Sequence, residues 1–307
     1  MRCRVQDRVA VGVLREAIAA GRLARGGLVT EGTAGSTGVS LAMAARAAGC
    51  RCHVVLPDDA AAEKAALIRA HGGAVERVRP VAIAHPGHFV HVAAAKARAT
   101  PGGVFADQFE NLANFRAHLA TGAEILAQTQ GRLDAFVCAA GTGGTIAGVS
   151  AALKAHDAAI HVHLVDPPGS GLYNRVERGV LYTRHEAEGK RRRNPFDTVT
   201  EGIGINRLTE NFRRARIDGA VQGTDQEAVD MAVHLLREDG LFVGSSAAMN
   251  CVGAVKVAKA LGPGHTVVTV LCDGGARHLS KFHCPEYLAR HGLRYPGEDW
   301  RLDFAAL

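Results

Sequence analysis

The sequence predicts an α/β protein of two lobes, each a mostly parallel twisted sheet flanked by helices. Three observations lead there. Segments with helical periodicity alternate with short apolar runs from one end of the chain to the other. Glycine or Pro-Asp punctuates nearly every change of period. The 307 residues also exceed what one hydrophobic core holds, since single cores stop growing at roughly 250–300 residues.

The elements follow in order. Residues 9–20 place Val9, Val13, Leu14 and Ile18 on one face and stop at Gly21, a helix with a glycine C-cap. A short strand at 28–30 leads to an Ala-rich helix at 37–48, ended by Gly49. A strand at 52–56 closes on Pro57-Asp58, and helix 60–70 stops at Gly72-Gly73 before strand 74–78. Helices at 88–98 and 111–129, strand 135–138, helix 145–155 and strand 160–165 continue the cycle, the last opening a second sheet. Residues 169–210 are the least regular and read as a surface excursion. Thr224-Asp225-Gln226-Glu227 is a capping box for helix 228–237. Strand 241–243, helix 247–260 and a buried strand at 266–271 complete the pattern.

Composition narrows the functional classes. No apolar run approaches the roughly 18–20 residues of a membrane span, and the charged start at 1–8 is not a secretory signal. Seven cysteines without a CxxC unit suggest neither a disulfide framework nor a zinc site, so a reducing, cytoplasmic setting is expected, an organelle remaining open. The net charge of +6 is scattered over many helices, and its only dense run, Lys190-Arg191-Arg192-Arg193, reads as a solvated loop rather than a nucleic-acid surface. His85, His88 and His91 lack acidic or thiol partners in the sequence around them, and no metal is expected. His161 and His163 read as solvated or edge positions of a strand, Cys50 and Cys52 as small buried side chains.

Two strand-to-helix loops carry chemistry. Gly141-Thr142-Gly143-Gly144-Thr145 presents backbone N–H groups at a helix start. It lacks the acid of a dinucleotide fingerprint and the lysine of a P-loop, so the readings are a single-phosphate site or a tight structural turn. Glu31-Gly32-Thr33-Ala34-Gly35-Ser36-Thr37-Gly38 repeats the arrangement with three hydroxyls, which suits a carboxylate or, more plainly, an N-capping loop.

Taken with Gln108-Phe109-Glu110-Asn111 and Asn114, these loops resemble the cysteine synthases, also called O-acetylserine sulfhydrylases. That family's phosphate loop reads G-T-G-G-T, as at 141–145. Its carboxylate loop reads T-S-G-N-T-G, matched at Thr33, Gly35, Thr37 and Gly38, and its Q-F-x-N-x-A-N is matched at 108–114. Glu201-Gly202-Ile203-Gly204 and the segment 240–246 are similar to further family turns, and the resemblance covers nearly the whole chain.

The resemblance implies a two-domain type II pyridoxal-phosphate fold, with a smaller substrate-gripping lobe at 10–112 and a larger cofactor lobe at 113–307 joined by residues 1–9. It implies pyridoxal 5'-phosphate held by Gly141, Thr142, Gly143, Gly144 and Thr145, with Ser36, Gly202, Asp273 and Gly274 around the ring. Thr33, Ala34, Gly35, Thr37 and Gln108 would hold an O-acetylserine-like substrate, sulfide would be the second reactant, and the assembly would be a homodimer. Related cystathionine-forming enzymes and lyases share the fold.

The departures are chemical. Where the family has S-V-K-D-R this chain reads Arg4-Val5-Gln6-Asp7-Arg8, so Gln6 stands in place of the lysine that bonds to the cofactor's aldehyde and moves the α-proton. An amide does neither, and impaired turnover or a non-catalytic binding or regulatory role is expected. Among the other lysines, including Lys64, only Lys281 is close in sequence to the pyridine end. Ser36 replaces a family asparagine, and Asp273 or Gly274 falls where the family has a serine at the ring nitrogen. The family also carries some tens of residues ahead of the lysine, with an I-G-N-T-P-L motif, so an N-terminally truncated chain is expected, with the exposed sheet edges that would follow.

Overall fold

The computed structural model describes residues 5–183, 198–297 and 302. The run at 190–193 and the residues at 1–4 lie outside them. Two parallel four-stranded sheets organise the chain, as the alternating pattern predicts.

The first sheet has the order β3-β2-β1-β4, with β1 Leu28–Gly32, β2 Arg51–Pro57, β3 Ala74–Val78 and β4 Val104–Phe105. Its helices are α1 Val5–Ala19, α2 Thr37–Ala47, α3 Ala62–Ala70 and α4 Phe89–Arg98. Every residue of β1 is buried, because this central strand is covered on both faces. Gly32 must be glycine for one of those covers to seat, since a Cβ there would lie 2.5 Å from the Phe89 carbonyl of α4.

The second sheet runs β7-β6-β5-β8, from β5 Ala135–Ala139, β6 His161–Asp166, β7 Gly219–Gln222 and β8 Val267–Thr269. Around it lie α5 Ala113–Thr129, α6 Gly144–His156, α7 Leu172–Arg178, α8 Asp225–Arg237, α9 Ser245–Leu261 and α10 Pro285–Ala289. Ala135, Val137 and Ala139 of β5 enter one core cluster, Phe136 and Cys138 the other, so the strand's period of two feeds both faces. Burying each large apolar side chain contributes about 1.5–3 kcal/mol.

The chain divides into two compact units between Ala117 and His118, inside α5. Residues 5–9 lie in the first, because Val9, Ala10, Val13 and Leu14 of α1 pack into the core that β1 and α2 share.

Some elements differ from expectation. The first helix starts four residues earlier, at Val5, so Gln6 and Asp7 are helical. Residues 241–243 form no strand but a lone antiparallel bridge, Val243 to Gly274. The strand at 266–271 shrinks to three half-buried residues, and β8 is the last strand of its sheet among the described residues. His163 lies on β6, an interior strand rather than an edge, although His161 is exposed. The capping box at Thr224 forms in full. Among the described residues no helix is long and apolar enough to cross a membrane.

Asn250, fully buried on α9, ties β5 to the chain beyond β8: its Oδ1 accepts from Ala139 N at 2.7 Å and its Nδ2 donates to Val270 O at 2.7 Å. Replacing it by leucine orphans both backbone groups, and Asn250→Leu is expected to cost about 2–4 kcal/mol, read as a lowered urea midpoint. An unchanged midpoint would mean that water reaches both groups.

Candidate functional site

The site residues fall into two constellations, one in each unit. In the first, β1 ends at Gly32 and the chain turns through 33–36 into α2. Thr33 is buried, and its Oγ1 accepts from Gly35 N at 3.0 Å, a hydroxyl-closed turn. Gly38 lets α2 close on the sheet, since a Cβ there would lie 2.8 Å from Val54 Cγ1. Ser36 is the N-cap residue, but its side chain does not cap the helix.

A buried polar chain backs this loop. Thr37 Oγ1 donates to Gln108 Oε1 at 2.7 Å, and Gln108 donates twice to Glu31, from its backbone N to Oε2 at 3.2 Å and from Nε2 to Oε1 at 3.3 Å. Asn114 Nδ2 holds the Gln108 carbonyl at 2.9 Å. The expected substrate residues Thr33, Ala34, Gly35, Thr37 and Gln108 therefore come together. Lys64, which the sequence sets apart from the segment around Gln6, is 1% exposed on α3 and donates to the Ala34 carbonyl at 3.4 Å. Its one sequence signal is a lysine among alanines, which helical periodicity alone places on no particular face.

Gln6 lies in the first turn of α1, where its Oε1 is buried and accepts no hydrogen bond. Its neighbour Asp7 accepts from Ser40 Oγ of α2 at 2.6 Å.

The second constellation centres on 141–145, between β5 and α6. Gly143 has φ 81° and is the N-cap residue of α6, without a side-chain cap. A Cβ on Gly141 would lie 2.1 Å from the Gly202 carbonyl, and one on Gly143 2.6 Å from Phe212 Cα. Only glycine fits at either position. Thr209, fully buried and missed in the sequence, donates to the Thr142 carbonyl at 2.7 Å, pinning the turn from behind. Gly202 and Gly204, with φ of 88° and 78°, make the adjoining turn, and Gly204 N donates to Ala140 O at 2.9 Å.

Asp273 and Gly274 border a charged cluster. Asp273 Oδ2 lies 3.0 Å from His278 Nε2, and Lys281 Nζ donates to Glu201 Oε1 at 2.9 Å. Lys281 is thus engaged as an ion pair on the Glu201 side of the glycine turn. Burial pushes the Cys52 and Cys272 thiols up to about 12 and Cys251 to about 11, which leaves them protonated and poor nucleophiles. Among the described residues no group of three or more His, Cys, Asp or Glu is placed to hold a metal ion.

The fit to a phosphorylated pyridine aldehyde is divided. The glycine turn, without a side chain at Gly141, Gly143 or Gly144 and opening on a helix start, suits the phosphate. Position 6 offers an amide oxygen and no amine, so covalent attachment to the aldehyde does not fit there.

Burial lifts the Glu31 carboxyl to about 8, helped by the charge of Asp107 and opposed by the Gln108 N–H groups. A raised pKa means the fold favours the protonated acid. That stability is fully present below the ordinary value of 4.5 and is lost as pH rises through about 8. Glu31→Gln lacks the titration, so the wild-type advantage in urea midpoint over this variant is expected to shrink between about pH 5 and about pH 8; a parallel pair of profiles would contradict it.

A family model described as pyridoxal-phosphate dependent enzyme matches residues 5–273. The chain is 48% identical over 311 residues to cysteine synthase 2 of Schizosaccharomyces pombe, covering 97% of this chain and 78% of that protein. It is 52% identical over 291 residues to cysteine synthase 2 of Neurospora crassa, covering 90% of this chain but only 64% of that protein's length. Among solved structures, the O-acetylserine dependent cystathionine beta-synthase from Helicobacter pylori superposes with a TM-score of 0.78 at 29% identity, over 91% of this chain and 85% of that one.

Proposed function

The chain belongs to the family of pyridoxal-phosphate-dependent enzymes, and from that premise we propose a cysteine-synthase-like protein whose turn at 141–145 holds the cofactor's phosphate. In this reading Thr33, Ala34, Gly35, Thr37 and Gln108 receive the carboxylate of an O-acetylserine-like amino acid. The observation that supports it best is the turn at 141–144, where neighbouring backbone excludes any side chain at Gly141 and Gly143 and the N-cap residue of α6 offers no side chain to cap it. The assembly we propose is a homodimer.

Bound pyridoxal phosphate supplies an electron sink for charge developing at the α-carbon of an amino acid. The chain's own residues do the rest. Backbone N–H groups of the turn bind the phosphate dianion. Glu31 fixes the Gln108 amide, and Gln108 in turn accepts from the Thr37 hydroxyl, so the polar groups of the carboxylate loop are oriented before a substrate arrives. Gln6 carries no basic nitrogen, so it neither bonds to an aldehyde nor takes up an α-proton. The β-replacement of an O-activated serine by sulfide is therefore impaired in this chain.

The same glutamine favours a second reading, a non-catalytic relative that binds cofactor or amino acid, or a related cystathionine-forming enzyme whose chemistry is lost in the same way. One pair of proteins tests the proposal. Gln6→Lys is expected to form cysteine from O-acetylserine and sulfide about 10²- to 10⁴-fold faster than the wild type, and to gain borohydride-trappable cofactor. Equal rates in the two proteins would refute the role given to position 6. Absence of saturable pyridoxal phosphate binding by the wild type would refute the phosphate site.

A further inference from the structure

His118 is fully buried on α5, and each of its ring nitrogens faces a threonine hydroxyl. Nδ1 lies 3.1 Å from Thr121 Oγ1 and Nε2 lies 3.3 Å from Thr145 Oγ1. Thr145 is the last residue of the glycine turn and the second of α6. The two helices are brought together by Gly122, where a Cβ would lie 2.5 Å from Ala152 Cβ and 3.2 Å from the Val149 carbonyl. His118 stands one turn before Gly122, and Thr145 one turn before Val149, so the same approach seats the imidazole on the hydroxyl.

Burying an imidazole is unfavourable unless both nitrogens find partners. The direction of the bond to Thr145 matters for the turn. A hydroxyl that donates to Nε2 has spent its hydrogen; one that accepts from an Nε2–H keeps that hydrogen for a ligand. In the second arrangement Thr121 donates to Nδ1, and the Thr145 hydrogen is turned away from the ring.

We propose that His118 is a positioning residue for phosphate: from α5 it donates Nε2–H to Thr145 Oγ1 and so commits the Thr145 hydroxyl to donate into the turn at 141–145. The proposal rests on the reading of that turn as a phosphate site. Nothing in the sequence marks it except His118 and Thr121 three residues apart on a helix.

Titration calorimetry with pyridoxal phosphate and with pyridoxal, which lacks the phosphate, separates the outcomes. His118→Phe and Thr145→Val are each expected to weaken pyridoxal phosphate about tenfold to a hundredfold, the range of one hydrogen bond to a charged group, and to leave pyridoxal unchanged. The double variant should be no weaker than Thr145→Val alone, and His118→Gln, whose amide N–H can replace Nε2–H, should recover most of the loss. Losses that multiply in the double variant, an unchanged constant in His118→Phe, or an equal loss for pyridoxal would each overturn the role. Equal binding of both compounds by the wild type would instead refute the phosphate reading itself. Should His118→Phe fail to fold, nitrogen-15 spectra of histidine-labelled wild type saturated with pyridoxal phosphate still decide: a protonated Nε2 supports the proposal and an unprotonated one overturns it.

Discussion

The Gly202 carbonyl occupies the space that a side chain at residue 141 would need, 2.1 Å from where its Cβ would lie, and the form of the turn between β5 and α6 follows from that crowding. The backbone turns at 202–204 and 209–212 press against the segment between β5 and α6, so Gly141 and Gly143 carry no side chain, and Thr142 between them turns its hydroxyl to accept from Gly144 N at 3.4 Å. The N-cap residue Gly143 has no side chain of its own to offer, so beyond the N–H that Thr142 receives, the first N–H groups of such a helix are met by water or by a ligand. The first unit solves the equivalent turn differently. Its loop after β1 is held by side chains, with Glu31, Gln108, Thr37 and Lys64 all buried behind or beside it.

Those buried polar groups set the energetic character of the protein. Glu31, Lys64, His118 and Asn250 would each destabilise the fold if left alone, since an unsatisfied buried group costs about 1–3 kcal/mol. Each is instead met by a named partner. Against a typical net stability of about 5–15 kcal/mol, four such sites are a substantial commitment. Asn250 serves the sheet, whereas Glu31, Lys64 and His118 all act on the two loops.

The architecture was legible in the sequence wherever a period or a glycine marked it. The alternation of helical and strand runs identified both sheets, and β3 at 74–78 was placed to the residue. The strands that were missed are β4, two residues long, and β7, Gly219–Gln222, which lies at a sheet edge without an apolar run. A two-residue strand has no period to detect, and an edge strand need not be apolar. Residues 241–243 looked like a strand because Leu241, Phe242 and Val243 are apolar, yet Phe242 is 39% exposed and Val243 is held by one bridge. The loops of the site were found from their glycines and hydroxyls. Their supports were not, because the burial of Lys64 and His118 depends on which helix face meets which sheet, and local spacing does not encode that.

The amide at position 6 also alters how the protein would relate to its surroundings. A cofactor bonded to a lysine stays with its enzyme through dilution. In the proposed reading, with no tether at position 6, occupancy would follow mass action, and the fraction loaded would track the free ligand around the dissociation constant. Since a ligand that binds only the folded state stabilises it by an amount that grows with its concentration, the lifetime of this chain would rise and fall with the supply of the vitamin-derived phosphate itself.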